Sequence, residues 1–113
     1  MNLNMQSKLA LIKNALTSIE GLNVYHYWRP KMNAPYCIWQ EEGEPDSFNA
    51  NNHKQEQVIS GTIDYFTKQD LDSMVDNIQN AINGVECLGW SLSNVDYEDE
   101  TNLIHYTWNF EIV

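Results

Sequence analysis

The stretch Ile104-His105-Tyr106-Thr107-Trp108-Asn109-Phe110-Glu111-Ile112 decides the fold. Five large apolar side chains, Ile104, Tyr106, Trp108, Phe110 and Ile112, alternate with His105, Thr107, Asn109 and Glu111. A strand has a side-chain period of two, so this spacing puts the apolar set on one face and the polar set on the other. A strand that buries one face belongs to a sheet covered on that side by a second layer.

Outward from this strand, residues 96–102 are polar and short enough to reverse the chain. Residues 86–96 read as its antiparallel hairpin partner. Three earlier strands fall at 22–28, 36–42 and 55–66, each rich in aromatic and β-branched residues and bounded by Pro, Gly, Asn or Asp. Residues 30–35 connect the first two in the same hairpin fashion. Between 6 and 20, Leu9, Ile12, Leu16 and Ile19 share one stripe of a helix that Gly21 stops. Leu71, Met74, Ile78 and Ile82 form a second stripe, preceded by Thr67 and Asp70 at capping-box spacing and followed by Gly84. The expectation is an α+β domain: two helices packed on one face of a mainly antiparallel five-stranded sheet, in the order α-β-β-β-α-β-β. Gly61 interrupts the third strand and marks a bulge or a close backbone approach.

The chain of 113 residues fits one domain, and four Trp and six Tyr supply large buried areas. Sixteen acidic side chains against six basic ones give a formal charge of −10, which disfavours attraction to nucleic acid or anionic lipid. The acids gather locally at 41–44 and 96–100, where solvated turns are the plain reading. Cys37 and Cys87 fit neither a disulfide framework nor a zinc pattern and read as small buried hydrophobes in a reducing compartment. The N-terminus lacks the pattern of a secretory leader, and no apolar run approaches the ~20 residues of a membrane span.

The first two strands break the one-sided pattern. Val24 and Trp28 oppose Tyr25 and Tyr27, and Tyr36 and Ile38 oppose Cys37 and Trp39, so both faces are apolar there. A covering partner, such as another copy of the chain, accounts for such surface, and strong twist or a folded-over loop is the competing explanation. The loop 43–54, made of Gly, Pro, Asp, Ser and Asn with little apolar content, is either a mobile tip or a binding arm.

A catalytic constellation is not legible. His26, His53 and His105 lack ligand spacing, and consecutive Glu41 and Glu42 point to opposite faces of a strand. Asp96, Glu98 and Glu100 lack the glycine and distal Glu of a calcium loop. Nucleophile elbow, phosphate loop and dinucleotide fingerprint are all missing. The expectation is a non-enzymatic protein with no cofactor and no metal.

The strings Tyr25-His26-Tyr27-Trp28-Arg29-Pro30, Ala34-Pro35-Tyr36, Trp39-Gln40-Glu41-Glu42, Gly61-Thr62-Ile63-Asp64-Tyr65-Phe66 and His105-Tyr106-Thr107-Trp108 resemble minor structural proteins of long-tailed phages and prophages, the tail completion or tail terminator proteins. The resemblance spans nearly the whole chain. It implies a ring-shaped homo-oligomer, commonly a hexamer, that caps the tail tube, stops its growth and helps join tail to head. Its partners would be tail-tube and head-connector proteins, first in the bacterial host cytoplasm and then in the virion tail. DNA would pass through the ring without sequence-specific binding, and an acidic lumen would let it slide. Under this reading Tyr25, Tyr27, Trp39, Glu44, Asp46, Phe48 and Asn51 are the candidate contacts to neighbouring subunits or the tube. Two other readings stay open: an acidic inhibitor or immunity-type protein that occupies a basic partner such as a nuclease, and a small hydrolase built around His105 and nearby acids.

Overall fold

The computed structural model describes residues 4–28, 31, 33–45 and 56–113. The elements are α1 (Met5–Thr17), β1 (Val24–His26), β2 (Tyr36–Gly43), β3 (Ile59–Thr67), α2 (Met74–Asn83), β4 (Leu88–Glu98) and β5 (Leu103–Ile112). They follow the expected order α-β-β-β-α-β-β. The five strands form one sheet in the spatial order β1-β2-β3-β5-β4.

Each helix begins and ends for a local reason. The Asn4 side chain caps α1 by accepting from the Ser7 amide at 2.9 Å. Its end lies ahead of Gly21, at Thr17, where the Thr17 and Ser18 hydroxyls donate back to the Lys13 and Ala15 carbonyls. The start of α2 departs from the Thr67–Asp70 capping box. Leu71 turns the chain at φ 55° and is 89% exposed, so the helix begins only at Met74. Asp72 prepares that start: one oxygen accepts from the Met74 amide at 2.9 Å, the other from Tyr65 Oη at 2.6 Å and Thr67 Oγ1 at 2.8 Å. One carboxylate thus ties the end of β3 to the first turn of α2.

Both helices lie on the face that β5 turns inward. Leu9, Ile12 and Leu16 of α1 and Ile78 and Ile82 of α2 join Cys37, Trp39, Ile63, Tyr65, Trp108, Phe110 and Ile112 in one core. Trp108 is fully buried and donates its indole N–H to Gln79 Oε1 of α2 at 3.1 Å. The apolar face of the closing strand therefore packs beneath the helices, as its alternation requires. Lys8 is buried as well, its ammonium donating to the Gln57 carbonyl and holding the entry to β3 against α1.

Three of the four strand pairings are antiparallel, including the β4–β5 hairpin, whose turn uses Asn102 at φ 58°. The exception is β1 with β2, which is parallel, so residues 30–35 do not make a hairpin. The cause is local. β1 shrinks to three residues, and directly after it Tyr27 turns the chain at φ 80°.

Gly61 resolves as a close approach. A Cβ there would lie 2.1 Å from the Gln40 carbonyl oxygen and 2.6 Å from Phe110 Cζ, because the Phe110 ring lies over the bare backbone of its cross-strand partner. The bulge lies on the opposite strand, between Glu41 and Gly43. A second bulge, between Leu92 and Asn94, inserts Ser93 into β4, and its hydroxyl donates to the Thr107 carbonyl at 3.2 Å.

Candidate assembly surface

The seven anticipated contact residues separate on folding. Trp39 is 2% exposed and belongs to the core beneath the helices, so it offers no outer contact. The alternation in β2 puts Cys37 and Trp39 on one side, and the helices cover that side. Tyr25 is half-buried on the other. Tyr27 is exposed at the end of β1. Glu44 is exposed beyond β2 and accepts from Gln57 Nε2 at 3.2 Å. Asp46, Phe48 and Asn51, with most of the loop 43–54, lie outside the described residues.

The end of β1 carries an unusual local structure. The Trp28 amide donates to the His26 carbonyl at 3.1 Å around Tyr27 at φ 80°, which is a γ-turn of the strained hand centred on a residue with a side chain. Side chains hold it in place. The His26 ring is sandwiched between Tyr27, at a centroid distance of 3.7 Å, and Trp39, at 3.8 Å. Glu41 takes His26 Nε2 on one oxygen at 2.8 Å and the Tyr27 hydroxyl on the other. Burial alone would raise the Glu41 carboxyl, but the bonds from Tyr27 and His26 outweigh it and its pKa is lowered. The same bond to Glu41 raises the Tyr27 phenol. The outcome of this clamp is Trp28, directed outward at 68% exposure.

At the other edge of the sheet, α2 covers β4 only at its start, where Trp90 Nε1 donates to Asn83 Oδ1 at 3.3 Å. Farther along, residues 91–97 are all exposed. Leu92, Val95 and Tyr97 keep 45%, 50% and 55% of their surface in solvent. The Ser93 bulge aligns them. Leu92 pairs with Trp108, Val95 with Tyr106 and Tyr97 with Ile104, so all three share the helix-side face. Asn94 and Asp96 face the other way, opposite Thr107 and His105. Together they make an apolar stripe along an edge strand whose outer backbone meets no strand among the described residues.

The face away from the helices holds a polar cluster in the middle of the sheet. Asp64 Oδ1 accepts from His105 Nε2 at 2.7 Å and from Thr107 Oγ1 at 2.9 Å, and His105 stacks on Phe66 at 4.1 Å. Thr107 Oγ1 lies 3.2 Å from that same Nε2. In a nucleophilic relay the histidine uses one nitrogen for the carboxylate and the other for the hydroxyl. Here a single nitrogen serves both, and the Thr107 proton is directed to Asp64, so the cluster closes on itself and ties β3 to β5. A cavity of about 570 Å³ on this side is lined in part by Glu42, Ser60, Ser91, Asn109 and Glu111, and among the described residues its lining includes no Lys or Arg.

Among the described residues no group of three or more His, Cys, Asp or Glu side chains is placed to hold a metal ion. No described helix is long and apolar enough to cross a membrane. Cys37 and Cys87 are both free; burial pushes the Cys37 thiol well up, and Cys87 is half-buried just ahead of β4. The edge-strand stripe is a surface feature that periodicity missed, because a bulge creates it; Trp28 was expected on an apolar face of the first strand, and a turn directs it outward. No protein-family model and no curated protein matches the chain.

Proposed function

We propose that this protein is a non-enzymatic assembly subunit of the phage tail completion type, working as a ring-shaped homo-oligomer that caps a tail tube and helps join tail to head. The observation that carries the reading is the pair of uncovered apolar surfaces at opposite edges of one sheet: Tyr27 and Trp28 beside β1, and Leu92, Val95 and Tyr97 on β4. A ring subunit needs two different contact surfaces, one for each neighbour, and exposed edge strands are where chains add to one another. The short sequence strings resembling tail completion proteins give the assembly its biological setting. The net charge of −10 fits a ring through which DNA slides without adhering.

The test is light scattering over a wide concentration range, with the protein alone and mixed with tail-tube protein. Discrete oligomers that grow with concentration are expected. A monomer throughout, also with the tube present, overturns the reading.

One observation favours a second reading, an acidic protein that occupies a basic partner. Residues 69–113 contain nine Asp and Glu and not one Lys or Arg. This reading predicts a one-to-one complex that weakens as salt rises, and stoichiometry separates it from a ring.

A further inference from the structure

We propose that the β4 edge takes the β4 edge of a second copy of this chain, the two strands running antiparallel about a two-fold axis between Ser93 and Asn94 so that the two sheets continue into one. The pairing does not rest on the ring reading: a ring that contains it is built of dimers, and a chain that forms no ring still pairs.

The order of residues in β4 is the first argument. Trp90-Ser91-Leu92-Ser93 is followed by Asn94-Val95-Asp96-Tyr97, so aromatic, polar, aliphatic and polar positions recur in mirror order about the midpoint. In a straight strand residues 92 and 95, or 90 and 97, point to opposite faces. The bulge at Ser93 brings all four apolar side chains to the helix-side face, opposite Phe110, Trp108, Tyr106 and Ile104. Two copies paired antiparallel about that midpoint set Leu92 against Val95 and Trp90 against Tyr97, each pair twice, in one apolar strip. Leu92, Val95 and Tyr97, each about half exposed in the single chain, leave water together. Against β5 the bulge leaves Ser93 without an opposite residue. Against a second β4 it falls opposite Asn94, and no residue is left over.

The edge itself is the second argument. At 11 residues β4 is the longest of the five strands, yet it stands at the end of the sheet and contains neither Lys nor Pro, the residues that commonly guard such an edge. Its outward N–H and C=O groups call for an extended strand, and the mirror order selects another β4 over an arbitrary one. Charge permits the pairing. The acids of β4, Asp96 and Glu98, fall opposite Ser91 and Gly89 of the other copy, so no two carboxylates meet across the contact. Each chain carries −10, so added salt screens the repulsion between copies and tightens the pair.

Single-cysteine variants test the register. In a Cys87→Ser background, which leaves only the buried Cys37, Asn94→Cys lies beside the axis and links to itself with a short bis-maleimide. Glu98→Cys and Gly89→Cys, each about 30 Å from its own counterpart, link when mixed and not alone. A side chain at Gly89 meets nothing closer than the Glu111 carbonyl oxygen at 4.0 Å. In sedimentation velocity, Val95→Lys or Leu92→Glu alone weakens self-association by about tenfold or more, since an unpaired charge is then buried in the contact. Mixing these two variants restores pairing, added salt tightens the parent dimer, and far-UV circular dichroism confirms that each variant is folded. A parent that stays monomeric at millimolar concentration in added salt overturns the proposal, and so does Glu98→Cys linking to itself. Larger oligomers in which Asn94→Cys stays unlinked overturn the pairing and leave the ring reading standing.

Discussion

Single residues here act through what their backbone permits. At Gly61 the absence of a Cβ lets Phe110 lie against the main chain, and the nearest atoms a methyl group would meet include backbone that cannot swing away. Gly61→Ala should therefore destabilise the protein by about 3 kcal/mol or more, measured by urea denaturation. An unchanged midpoint would mean that the Phe110 ring does not occupy that site. The glycine stood out in the sequence, yet the choice between a bulge and a close approach depended on what the neighbouring strands bring to it. Trp39 shows the converse. Its alternation with Ile38 and Tyr36 was legible, but the side on which the helices would lie was not, and that side turned an anticipated contact into core.

At the scale of elements, the junction between β3 and α2 depends on Asp72. Burial would raise its carboxyl, but bonds from Tyr65, the Met74 amide and Thr67 outweigh it, and its pKa sits below the ordinary 3.8. A carboxyl lowered on folding stabilises the native state above its ordinary value, and the contribution disappears as pH falls through the folded value. Asp72→Asn should thus cost about 1–2 kcal/mol at neutral pH, and the gap to the wild type should close as pH drops below about 4. Denaturation curves at a series of pH values measure this, and a gap independent of pH would sink it. The stripe Met74, Ile78 and Ile82 was plain from its period, while the first turn was not. The sequence spacing offered Thr67 and Asp70, and the positive φ at Leu71 handed the role to Asp72.

At the scale of the whole molecule, the sheet is covered on one face and left open along its β4 edge. Leu92, Val95 and Tyr97 are half-exposed in one chain, so replacing them together by Ser, Thr and Ser should leave the melting temperature of the isolated chain within a few degrees. The same variant should lose self-association in sedimentation velocity. A large drop in melting temperature would place these side chains in the core, and unaltered assembly would move the contact elsewhere.

Sequence alone determined which segments become helix and strand, because apolar spacing of two or of three and four has few structural solutions. It also determined that β5 is a one-faced strand lying under helices and that the chain is strongly acidic. Tertiary structure decided the parallel pairing of β1, the burial of Trp39 and the line of Leu92, Val95 and Tyr97. The burial of Trp39 depends on which face the helices take, and the other two on local backbone. A positive φ at Tyr27 redirects the chain, and one extra residue at Ser93 moves Val95 to the face of Leu92. Strict alternation would put Leu92 and Val95 on opposite faces; only the pairing of β4 with β5 sets them side by side.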